Sequence, residues 1–258
     1  MTDTATVERP SLRLVLTSLM RADATVLLRG RTSALLTLLP PLIIVIATDL
    51  NSGKTASRLG GAPVVIGLAI TIGLVISCLL GYSLTLAHDR DAGVLQRLRV
   101  TPAPTWAIMC SRLAVQAAAN LVMAVVVLIV GVSLHGLSLN AGQVILVLVF
   151  SLIGAAMFLA IGQAVVALVN SMSAVNAIGR VLLIVLILLG LLGVTGLLGD
   201  VVQSIAEWSP VGVLMQLMSQ AMLSAPWAWQ DTWYLVAAIG YVVVFSFIGI
   251  RWFTWGTH

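Results

Sequence analysis

Residues 143–169, QVILVLVFSLIGAAMFLAIGQAVVALV, run for 27 positions without one charged side chain. A helix rises about 1.5 Å per residue and needs roughly 20 apolar residues to cross a hydrocarbon core of about 30 Å. Lipid offers the backbone no hydrogen-bond partners, so only helices and closed barrels can span it. The Leu, Val, Ile, Ala and Gly of this run do not alternate as barrel strands do. Five further stretches, at about 32–48, 62–87, 106–134, 178–198 and 233–253, have the same character. The first is short, and Pro40-Pro41 near its middle removes backbone donors and crowds the preceding turn, which predicts a kink or a break. With 60% hydrophobic residues and a mean hydropathy of +1.12, against about 45–50% apolar residues in soluble domains, the chain reads as an all-α integral membrane protein of six spans.

Basic residues orient it. One side holds Arg9, Arg13, Arg21, Arg29, Arg31, Arg90, Arg97, Arg99, Arg112, Arg180 and Arg251, and the other only Lys54 and Arg58. Positively charged loops stay in the cytoplasm, so eleven against two predicts both termini inside. The expected layout is a cytoplasmic N-terminus over 1–31, a membrane domain over 32–253, a cytoplasmic loop over 88–104, an external loop over 199–232 and a cytoplasmic tail over 254–258. No small-residue cleavage pattern closely follows the polar leader, so the first apolar run reads as a retained span. The net charge of +4 follows from basic residues flanking the spans, and nucleic acid is not an expected partner.

Two segments read as helices that do not span. In PSLRLVLTSLMRADATVLLR (10–29), Leu12, Val15, Leu16, Leu19, Met20, Val26 and Leu27 share one side, and Arg13, Thr17, Ser18, Arg21 and Arg29 the other; Asp23 intrudes on the apolar face. This pattern suits a helix in the headgroup region with Arg13, Arg21 and Arg29 toward anionic lipid, or one packed against a soluble partner. In the external loop, VGVLMQLMSQAML (211–223), bracketed by Pro210 and Pro226, is apolar enough to dip into the membrane but too short to cross, which predicts a re-entrant or interfacial helix. Trp208, Trp227, Trp229 and Trp233 around it suit the headgroup level. Ala156, Ala160 and Ala164 in the fourth span, and Gly190, Gly193, Gly196 and Gly199 at the end of the fifth, allow close helix approach, within the chain or between subunits.

No internal source of energy or chemistry stands out. Gly53-Lys54-Thr55 resembles the end of a phosphate-binding loop, but Thr48 stands where that motif needs glycine. No acidic residue lies in the interior of an expected span, as proton coupling would need. Cys78, Cys110, His88, His135 and His258 are scattered without metal-ligand spacing. No nucleophile–base pair supports an enzyme. Neither a metal nor a cofactor is expected on this chain, and energy is expected from a partner.

The charge collects in HDRDAGVLQRLRVTPAP (88–104), which holds five charged side chains although only 9% of the chain is charged. As a helix over 89–99 it would place Val94, Leu95 and Leu98 on one side and Asp89, Arg90, Gln96 and Arg97 on the other. Thr101-Pro102 would end it and begin the next helix. A short two-faced helix of this kind could fill a groove on another protein, or the stretch could be a solvated loop.

The order Asp89-Arg90-Asp91, Gly93, Gln96-Arg97-Leu98, Thr101-Pro102 and a later Arg112 resembles the signature of ABC-2 type transporter permeases. The amphipathic leader, six spans and external dip extend the likeness over nearly the whole chain, and it looks most like the drug-exporter branch typified by daunorubicin-resistance permeases. Three details depart from the pattern: Asp replaces Glu at 89 and 91, Val94 stands where Thr is common, and Gln96 where Glu is. The resemblance implies a coupling surface for an ATPase at Asp89, Arg90, Asp91, Gly93, Gln96, Arg97, Arg99, Thr101 and Pro102, with Arg112 and Arg180 at the cytoplasmic mouth. It implies two ATP-binding cassette subunits holding ATP and Mg, a second permease copy or a sister permease, a bacterial inner-membrane location, and export of an amphipathic or hydrophobic drug or lipid, less readily a polysaccharide. A non-transporting anchor or sensor that recruits a cytoplasmic protein is the other reading.

Overall fold

The computed structural model describes residues 12–29, 31–50, 59–94, 105–195, 199–223 and 226–252. Among the described residues there are nine helices and no strands: α1 (Leu12–Arg29), α2 (Arg31–Leu50), α3 (Ala62–Asp91), α4 (Thr105–His135), α5 (Ala141–Leu168), α6 (Met172–Thr195), α7 (Asp200–Trp208), α8 (Pro210–Met222) and α9 (Trp229–Trp252). Five of them, α3, α4, α5, α6 and α9, are long and apolar enough to cross a membrane. The first expected span falls on α2, where the apolar helix among the described residues is Thr37–Leu50, shorter than a crossing requires. α2 continues through Pro40 and Pro41 instead of breaking there. Pro41 is buried and faces Gly73 of α3, where a Cβ would come within 3.1 Å of the proline ring.

α3 is the central post. It is the most buried of the five long helices, and α2, α4, α5, α6 and α8 all pack on it. Between Val75 and Tyr82 its hydrogen bonding shifts to the wider π pattern, a local feature often found at functional positions. Gly162 of α5 presses into that stretch: a Cβ there would lie 2.6 Å from Ser83 Oγ and 3.0 Å from the Cys78 carbonyl. Gly162→Ala is therefore expected to cost about 1–3 kcal/mol by overpacking, read as a lower Tm in detergent. Adding Ser83→Ala should recover part of the loss, because it removes the nearer obstacle.

α8 explains the apolar segment between the fifth and sixth expected spans. Ser209 caps it by accepting from Gly212 N at 3.1 Å, and Pro210 occupies its first turn, where a missing N–H costs nothing. Val211, Val213, Leu214, Leu217 and Met218 are all fully buried. The helix lies among α3, α5, α6 and α9, as a helix apolar on nearly every side should. The small residues at the end of α6 serve this packing within the chain: a Cβ on Gly190 would meet Val211 at 2.7 Å, and one on Gly193 would meet Ala206 at 3.1 Å. Gly199 instead starts α7 with φ +84°, and Gly196 lies outside the described residues. On α5, Ala160 and Ala164 are buried while Ala156 is exposed. Gly249 of α9 approaches Gln163 and Ala164 closely, and α5 and α9 form the most extensive helix pair among the described residues.

Hydrogen bonds fasten the end of the bundle formed by α7, α8 and the start of α9. Gln143, half of a capping box with Asn140 at the start of α5, donates to Met222 O at 3.1 Å. Tyr234 donates to the Glu207 carboxylate, and Tyr241 to Trp208 O at 2.9 Å. Trp208, Trp227, Trp229 and Trp233 are exposed around this end.

Candidate functional site

The charged segment lies at the opposite end of the bundle, and its first part is an extension of α3. Helix continues past the expected end of the span through Asp91. It then stops: Ala92 N bonds back to His88 O at 2.8 Å, Gly93 N to Arg90 O at 3.1 Å, and Gly93 has φ +69°. A single helix over 89–99 is thus corrected to a helix that ends at Asp91 with a turn at Ala92-Gly93. The physical reason is the glycine, which enters the left-handed region without a Cβ penalty and closes helices for that reason. Gly93→Ala meets no neighbour within 4 Å, so its expected cost of roughly 1–2 kcal/mol is backbone strain alone. A Gly93→Asn variant, compared by thermal melting, should lose less.

Three consecutive side chains then go three ways. Asp89, half-buried, accepts from Arg112 Nη1 of α4 at 2.5 Å. Arg90 is only 2% exposed, and its Nη1 donates to two carbonyls at the end of α5, Val166 O at 2.8 Å and Val169 O at 3.0 Å. Asp91 is exposed, with Oδ1 3.5 Å from Arg90 Nε. Successive helical positions are about 100° apart, which is how neighbours in sequence reach different helices.

α1 joins the same end of the bundle by packing on α4. Asp23, which the helical wheel puts among apolar residues, accepts from Ser111 Oγ at 2.8 Å, and Ser111 is buried. The acidic residue on the apolar face thus has a hydroxyl partner on the helix that covers it. Arg21 is exposed on the other side. The side chains of Arg13 and Arg29 lie outside the described residues. Ser111→Ala should leave Asp23 short of a partner and cost about 1–3 kcal/mol, seen as a lower Tm and as faster proteolysis within α1.

Arg112 thus belongs to the charged end through Asp89, whereas Arg180 is exposed on α6 about 12 Å beyond its start at Met172. The two are not brought together by any described contact. Gln96, Arg97, Arg99, Thr101 and Pro102 lie outside the described residues. Farther along α4, Gln116 donates to Ser77 Oγ at 2.9 Å and Asn120 to Cys78 Sγ at 3.0 Å. This polar rung against the π stretch of α3 was missed in the sequence, although the four-residue spacing of Gln116 and Asn120 puts them on one helical face. No such signal announces the Val166 and Val169 carbonyls, which are backbone.

These features define a multi-pass α-helical membrane protein with one braced, charged end. The family model for the ABC-2 type transporter matches residues 15–223, and the chain belongs to that family. It is accordingly a transport permease of an ABC transporter, not itself a catalytic domain, and the family implies partnership with an ATPase. No curated protein matches the chain.

Proposed function

We propose that this chain is the permease subunit of an ABC exporter, with six spans, both termini in the cytoplasm of a bacterial inner membrane, and a second permease completing the pathway. Two separate ATPase subunits carrying ATP and Mg dock on residues 88–104, where Asp91 and Gly93 together with Gln96, Arg97, Arg99, Thr101 and Pro102 supply the contact. The observation that carries this reading is the bracing of Asp89 and Arg90. The first part of the charged segment, through Asp91, is a continuation of the central helix tied to two neighbouring helices, so a push that reaches this turn is delivered to the spans. ATP can drive such a device only if it favours one arrangement of the spans over another.

The cargo is amphipathic or apolar, a drug-like molecule or a lipid. Among the described residues, the buried charged side chains are Arg90 and Asp231, near opposite ends of the bundle, and Leu, Val, Ile, Met and Ala dominate between them. α1 lies at the lipid headgroups on the cytoplasmic side. Co-purification with a co-expressed ATP-binding cassette subunit tests the docking surface. Arg97→Glu is expected to reduce recovery of the complex at least tenfold without changing the melting of the permease. Equal recovery from both would remove the docking role.

A further inference from the structure

The side chain of Arg90 is buried against the end of α5, and we infer that it is a positioning residue: the tie through which the charged segment moves α5. This inference rests on the permease reading above. α5 ends at Leu168, and Val169 is extended. The last carbonyls of a helix have no intrahelical partners and form the negative end of its dipole. Val165 O receives Val169 N, while Val166 O and Val169 O receive Arg90 Nη1. A guanidinium is the side chain best suited to this place, since it stays charged and offers several donors in a fixed plane.

The placement is demanding. Arg90 Nε and Nη2 are buried and donate to no acceptor among the described residues, and the carboxylate of Asp91 stands 3.5 Å from Nε. A cation this deeply buried is costly unless its surroundings compensate it, and here the carbonyl end of α5 and Asp91 do so together. A neutral residue would end α3 more cheaply; what arginine adds is a bond between two helices. Asp89 ties the same turn to α4 through Arg112. Adjacent residues thus yoke the end of α3 to two neighbours, and α5 carries the motion to α9, its most extensive partner.

The test uses proteoliposomes holding the permease with its co-purifying ATPase, comparing wild type, Arg90→Lys and Arg90→Ala for ATP hydrolysis and for transport of an amphipathic fluorescent dye. Arg90→Ala is expected to keep its ATPase and to hydrolyse ATP within about twofold of wild type, while dye moved per ATP falls at least tenfold. Arg90→Lys, which keeps the charge and one donor group, should recover a substantial part of that ratio. A second readout is independent of activity: spin labels at exposed positions 92 and 168, in a Cys110→Ser background, should give a narrow distance distribution that broadens in Arg90→Ala, or in Arg90→Met if the alanine variant does not fold, and much less in Arg90→Lys. An unchanged ratio of transport to hydrolysis, or labels whose distribution ignores the substitution, overturns the tie. Wild type that neither binds an ATPase nor moves dye would instead overturn the permease reading.

Discussion

Gly212→Ala is expected to destabilise the protein by about 3 kcal/mol or more, at the upper end of what overpacking causes. α7 and α8 meet at Ser209 in a turn so tight that a Cβ on Gly212 would lie 2.0 Å from the Ala206 carbonyl oxygen and 2.6 Å from that of Glu207. Both obstacles are backbone and cannot rotate aside. The Ala206 oxygen is further held by Ser209, whose Oγ and N approach it at 2.6 and 3.2 Å. Relief requires α8 to shift, and α8 is packed among four other helices. Gly240→Ala is the matched control. It is helical with nothing within 4 Å of its added methyl, so helix propensity predicts an unchanged or slightly raised Tm. Equal melting of the two variants would contradict the turn geometry.

The second large effect is expected at the Asp89–Arg112 pair. The side chains are 20% and 15% exposed, and removing one partner of a buried pair leaves the other charge in a poorly solvating place, at 3–5 kcal/mol when burial is complete. With a fifth of Asp89 still open to solvent, Arg112→Ala should cost about 2 kcal/mol. The reversed pair, Asp89→Arg with Arg112→Asp, should recover at least half of what either single reversal loses, because it restores attraction across the same gap. A double-mutant cycle measured by chemical denaturation in detergent separates this coupling from the individual losses. Singles within 0.5 kcal/mol of wild type, or no recovery in the reversed pair, would show that the contact is not a strut between α3 and α4.

Hydropathy made five long helices legible because lipid imposes length and apolarity on each segment separately, without reference to its neighbours. α8 was legible as a helix for a similar local reason: two prolines bracket an apolar run. Its depth inside the bundle was not, since a re-entrant helix and a packed one share a composition. The weakest expectation, the span ending near Thr48, remained ambiguous because α2 is held by packing on α3 and α4 as much as by apolar length.

The charged segment divides along the same line. Its composition is local and could be read, but the turn at Gly93 was overrun by the helix expected over 89–99, and the destination of Arg90 left no local sign: its acceptors are main-chain oxygens 76 and 79 positions away. Asp23 was visible as an anomaly on an apolar face, and only the fold supplies Ser111 to resolve it. Charges that look like a surface patch in sequence therefore divide, among the described residues, into inward braces, Asp89 and Arg90, and an exposed Asp91.

The most direct measurement is ATP hydrolysis by the purified complex of this chain with its ATPase, in lipid, with and without an amphipathic drug. The drug is expected to raise turnover severalfold in the wild-type complex, and Arg97→Glu in the permease to abolish the rise. ATPase turnover that is the same with drug, without drug and without the permease would contradict the permease reading.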